Sequence, residues 1–185
     1  MKKYLMILML GLISISGYAQ RMIYRQKAVE VNTGILSDKD LSSNYYFNIT
    51  LNSFGRYGNY WIWGAELQSR STDYKQWKIP IKSYLGEMGY SLQLFSDNRK
   101  FITLNAGLTG VGGFEVVNKG DSTLMDGAVL HSKNQFVLGT AGRLSLETYI
   151  SDRIVFMVQG RLRVLWGTDL EKFRPSSGVG LRINF

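Results

Sequence analysis

The chain has no cysteine and a single histidine among its 185 residues. Without cysteine there can be no disulfide framework, no thiolate metal site and no tether through a lipidated N-terminal cysteine. Zinc-ligand spacing, a P-loop and a metalloprotease helix motif are missing as well. GLTGVGG at 107–113 lacks the order of a dinucleotide-binding turn and leads into no helix, so no cofactor is expected. The lone His131 lies between Asp126 and Ser132 in the longest loop. Neighbours within one loop do not make a catalytic triad, and an enzyme is not expected. The formal charge is +8 but forms no Lys/Arg cluster, which argues for solvated faces and against a nucleic-acid stripe.

No long apolar helix is present either. Tyr4 to Ser16 is uncharged and mostly apolar, yet shorter than the roughly 20 residues that a spanning helix needs. It follows Lys2 and Lys3 and precedes Gly17-Tyr18-Ala19, which is the layout of a secretory signal peptide. The expected organisation is a signal over 1–19, cleaved after Ala19, and one domain over 20–185. Loss of the two lysines brings the net charge from +8 to +6.

What the rest of the chain does have is alternation. Two-residue periodicity returns eight times, bounded by Gly, Asn, Asp and Ser, over 28–36, 44–54, 60–71, 79–95, 101–113, 135–150, 154–166 and 177–185. The connections read as alternately short and long. GRYGN, SDNRK and SDR are tight turns, whereas SDKDLSS, TDYKQWK, residues 115–134 and GTDLEKFR are longer loops. This is the signature of an up-and-down meander, and the asymmetry is that of outer-membrane barrels. The predicted fold is therefore an all-β, eight-stranded, antiparallel outer-membrane-type barrel.

The two faces separate by composition. Ile154, Phe156, Val158, Leu162, Val164 and Trp166 oppose Gln159, Arg161 and Arg163; Val179, Leu181, Ile183 and Phe185 oppose Arg182 and Asn184. A lipocalin-like soluble barrel would turn the apolar side inward, and a membrane barrel turns it out. Strands long enough for the ~9–11 residues of a tilted span favour the second arrangement. So do the aromatics Trp61, Tyr84, Phe136, Trp166 and Phe185 near strand ends.

On that reading Glu30, Glu66, Glu87 and Glu147 share the lumen with Arg143, Arg161, Arg163 and Arg182, while Arg70 lies nearer a rim. An eight-stranded barrel is just wide enough for side chains to fill, so these groups are expected to pair as a structural ion-pair core. The chain closes on GLRINF, and Gly180, Ile183 and Phe185 resemble the C-terminal signal read by the barrel assembly machinery.

Several stretches are more specific than generic barrel sequence. WGAEL at 63–67, LFSDNRKFITLNAGL at 94–108, DGA at 126–128, LETYISDRIVF at 146–156 and RVLWG at 163–167 resemble the TraO proteins of conjugative transposons in Bacteroides and its relatives. The resemblance runs from about the third strand to the end and is weakest before residue 60. It implies an outer-membrane component of a conjugative transfer apparatus whose partners are other transfer proteins and membrane lipid. No catalytic residue and no direct nucleic-acid contact are carried with it. The competing expectation is a stand-alone small barrel of the OmpA or OmpX kind that binds envelope partners and takes no part in conjugation.

Overall fold

The computed structural model of the chain describes residues 24–36, 44–74, 77–98, 101–117, 134–168 and 171–185. The expected signal over 1–19 and His131 lie outside them, as do Asp126 and Ser132. Eight strands form in chain order: β1 (Lys27–Leu36), β2 (Tyr45–Phe54), β3 (Tyr60–Tyr74), β4 (Trp77–Ser96), β5 (Ile102–Val117), β6 (Gln135–Tyr149), β7 (Ile154–Trp166) and β8 (Phe173–Asn184). Each pairs antiparallel with the next, and β8 returns to β1 to close the barrel.

The register sets the dimensions. Crossing Cα partners from Leu36 through Ser176, Arg161, Arg143, Gly107, Ser91, Tyr60 and Phe54 leads back to β1 at Gln26, ten residues from the start. A stagger of ten over eight strands tilts them by roughly 40° and leaves an interior that side chains can fill. Closure removes the free edges of the barrel body.

Side-chain orientation follows the alternation along nearly every strand. Ala28, Glu30 and Asn32 are buried while Val31 and Ile35 are exposed; Arg143, Ser145 and Glu147 are buried while Leu144 and Leu146 are exposed. The aromatic side chains gather toward strand ends on the outside. Trp61 meets Tyr90 edge-on at 5.0 Å near one end, and Phe114 meets Phe136 edge-on at 5.2 Å near the other. Among the described residues one irregularity, between Gln93 and Phe95 opposite Asn105 and Leu104, turns both Leu94 and Phe95 outward.

Three connections differ from the sequence expectation. TDYKQWK is not a long loop, because β3 and β4 continue pairing as far as Tyr74 and Trp77. Cross-strand pairing extended both strands past the point where alternation weakens. Likewise β5 runs on to Val117 and β8 begins at Phe173, which moves Glu115 and Arg174 from loops into the barrel. The β2–β3 turn is a 3-10 turn over Arg56–Gly58, in which Tyr57 and Gly58 both take left-handed φ.

Candidate functional site in the barrel lumen

The lumen is charged, and its charges are segregated by strand. Five arginines come from the last three strands, namely Arg143 on β6, Arg161 and Arg163 on β7, and Arg174 and Arg182 on β8. Four carboxylates come from the first five strands, namely Glu30 on β1, Glu66 on β3, Glu87 on β4 and Glu115 on β5. Glu147 on β6 and Arg70 on β3 are the buried residues that break the pattern. Register makes this an unusual wall, since Arg143 lies opposite Arg161 and Arg163 opposite Arg174. Like charges directly opposite repel. Each guanidinium therefore has to find its counter-charge elsewhere in the lumen.

Three layers result. Toward the end that carries the β2–β3 turn, Arg182 donates to Glu30 Oε2 from Nη2 at 2.8 Å and to Glu147 Oε2 from Nη1 at 2.7 Å. Tyr60 sits between them: its hydroxyl donates to Glu147 Oε1 at 2.8 Å and accepts from Arg182 at 2.9 Å and Arg143 at 3.1 Å. Arg143 also lies 3.5 Å from Glu30, whose two oxygens accept from Asn32 and Asn52.

In the middle layer Glu66 takes one arginine on each oxygen, Arg161 at 2.6 Å and Arg163 at 2.7 Å, and Gln68 donates to it at 2.6 Å. Asn48 bridges Glu66 to Glu87, which lies 3.8 Å from Arg163. Near the opposite rim Arg174 pairs with Glu115, which also accepts from Ser83 at 2.9 Å and Thr168 at 2.7 Å.

Aromatic rings hold the cations in place. The Arg161 guanidinium lies 4.0 Å from the Tyr46 ring centroid, and that of Arg182 lies 4.6 Å from Tyr60. Such stacking of a desolvated cation is worth about 2 kcal/mol. Tyr46 itself crosses the cross-strand glycine pair Gly34 and Gly178, and its hydroxyl accepts from Gln159 at 3.4 Å. A side chain at either glycine would occupy the ring's place.

All eight lumen residues singled out in the sequence are thus inside and within these networks. Gly180 faces inward against Asn32, whereas Ile183 and Phe185 face outward. Sequence reading missed the Glu115–Arg174 pair. Its signal was parity, since Glu115 keeps the phase of Thr109 and Arg174 that of Arg182. It missed, too, that part of the interior is apolar: Leu85, Val111, Val137, Ala141 and Leu165 cluster on β4–β7, and Ala28, Phe54, Tyr60 and Ile62 cluster toward the turn end. Among the described residues, no group of three His, Cys, Asp or Glu side chains is placed to hold a metal ion.

A closed barrel with ion pairs inside and a continuous apolar exterior has the polarity of a barrel built for hydrocarbon surroundings. Its family is more specific than its architecture. The family model for "Conjugative transposon protein TraO" matches residues 23–185, and the chain belongs to that family. No curated protein matches the chain. Among solved structures it is similar to one described as "De novo design of transmembrane beta-barrels", at 11% identity over 90% of this chain and 100% of that one, with a TM-score of 0.44.

Proposed function

We propose that the protein is an outer-membrane barrel of the conjugative transposon's transfer apparatus, acting as a structural and partner-binding subunit and not as an enzyme. One observation carries the membrane part of this reading, the inversion of side-chain polarity. Leu144 is 51% exposed and Leu181 51%, while Glu30, Glu147 and Arg182 are 0% exposed. Water-soluble chains rarely expose apolar patches beyond a few hundred Å², and here the apolar surface encircles the barrel. Family membership supports the transfer role.

In this reading the chain is exported by its N-terminal signal, cleaved after Ala19 and inserted by the barrel assembly machinery. That machinery recognises β8 through Gly180, Ile183 and Phe185. The ion pairs of the lumen serve as the structural core of the body, and the connections opposite the β2–β3 turn, with the rim around Glu115 and Arg174, face other transfer proteins.

The test is a deletion strain, with the protein located by membrane fractionation and N-terminal sequencing. Loss of transposon transfer, recovery of the protein in the outer membrane and a mature N-terminus at Gln20 are expected. Normal transfer frequency in the deletion strain would overturn the conjugative role and leave the stand-alone barrel. A water-soluble protein would overturn the membrane role.

A further inference from the structure

At the turn end of β1 and β2 the chain does something that its fold does not require. Among the described residues, two that are not glycine adopt left-handed φ, Arg25 at 69° and Tyr57 at 62°. Such conformations cost roughly 1–3 kcal/mol each and persist where the surroundings hold them. Both lie at this one corner, where the Arg25 N–H donates to the Phe54 carbonyl at 3.0 Å.

The outcome is a cationic cluster. The guanidinium groups of Arg25 and Arg56 lie 5.4 and 5.7 Å from the Tyr24 ring centroid, and Lys27 follows two residues on with its side chain exposed. Segments 24–29 and 51–63 contain no Asp or Glu to neutralise them. Tyr57 projects beside them, 88% exposed.

Immediately beside the cluster a groove of about 310 Å³ opens on the outer wall. Leu51, Trp63 and Phe185 line it, and Lys27 contributes to the same lining. An apolar channel with Lys27 in its lining, next to the corner where Arg25 and Arg56 flank Tyr24, matches an amphiphile with an anionic head.

We propose that this corner binds an anionic phospholipid, with the phosphate held by Arg25, Lys27 and Arg56 and an acyl chain laid in the groove against Leu51, Trp63 and Phe185. The inference rests on the membrane reading above. The short-turn end of a membrane barrel faces the periplasm, so the lipid is drawn from the inner leaflet of the outer membrane. A basic residue near an anionic lipid surface gains about fivefold in affinity. The site thereby fixes the height of the barrel in the bilayer at its β1–β2 corner.

Trp63 is in the groove and supplies the readout once Trp61, Trp77 and Trp166 are replaced by Phe. The full protein is folded into phosphatidylcholine vesicles carrying either dibrominated phosphatidylglycerol or dibrominated phosphatidylcholine, and tryptophan quenching is compared. The brominated anionic lipid is expected to occupy the site at least about fivefold more favourably. The R25Q/K27Q/R56Q variant, altered only at exposed side chains outside the lumen, is expected to lose that preference while still inserting.

Equal quenching by the two lipids in an inserted wild-type barrel overturns the proposal, as does an unchanged preference in the variant, and either result leaves the membrane reading intact. Binding of inorganic phosphate to Arg25, Lys27 and Arg56 in a barrel that shows no lipid preference also overturns it, because the site would then hold a free anion and no acyl chain. Failure of the wild type to insert into any vesicle overturns both readings together.

Discussion

Arg182 on β8 reaches past β7 to place Nη1 2.7 Å from Glu147 Oε2 on β6, while the same guanidinium donates to Glu30 Oε2 on β1 at 2.8 Å. One side chain thus ties the closing seam to the wall beside it. Removing it would leave two buried carboxylates short of their main counter-charge. Arg182→Met is expected to cost about 3–5 kcal/mol, the range for breaking a buried pair from one side. Urea titration of the folded barrel in vesicles measures the loss. A change below ~1 kcal/mol would mean that water compensates these groups.

Glu66 holds Arg161 and Arg163 on separate oxygens, so its removal should be felt through both. Glu66→Gln and Arg161→Met are each expected to destabilise, and the double variant to lose less than their sum. A coupling of at least about 1 kcal/mol in the double-mutant cycle is the expected outcome. Additive losses would show that the contact contributes little beyond filling space.

The glycines divide into two kinds. A methyl group added at Gly178 overlaps the Tyr46 hydroxyl and the Thr33 carbonyl, while at Gly142 and Gly160 it meets nothing within 4 Å. Gly178→Ala is expected to destabilise by about 1–3 kcal/mol as the Tyr46 ring is displaced. Gly142→Ala and Gly160→Ala are expected to stabilise by about 0.4–1 kcal/mol through the unfolded chain. The same denaturation series compares all three.

Leu144 lies midway along β6 on the outer face and is half exposed. In hydrocarbon, Leu144→Arg is expected to cost about 2–4 kcal/mol, the depth-dependent penalty at a bilayer midplane. On a water-exposed sheet the same substitution would change stability by no more than about 0.5 kcal/mol. Refolding into vesicles distinguishes the two, and a near-zero effect counts against membrane embedding.

Strand number and facing were legible in the sequence because they depend on local stereochemistry. Successive side chains in a strand point to opposite sides, so the parity of Arg161, Arg163 and Gln159 against Phe156, Val158 and Leu162 already separates two faces. Strand ends were less legible. TDYKQWK carries no clear alternation, and it is paired only because the neighbouring strands extend the ladder.

What the tertiary structure alone decided is who meets whom. Glu66 and Arg161 are 95 residues apart, and Glu30 and Arg182 are 152 apart. Their meeting depends on the ten-residue stagger accumulated around eight strand pairings, which no single stretch of the chain encodes. Parity put the charges on one side of the sheet; closure brought a wall of arginines across from a wall of carboxylates. The corner around Tyr24, Arg25 and Arg56 was hidden for the same reason, because two left-handed residues on different segments bring its cations together and no local periodicity records them.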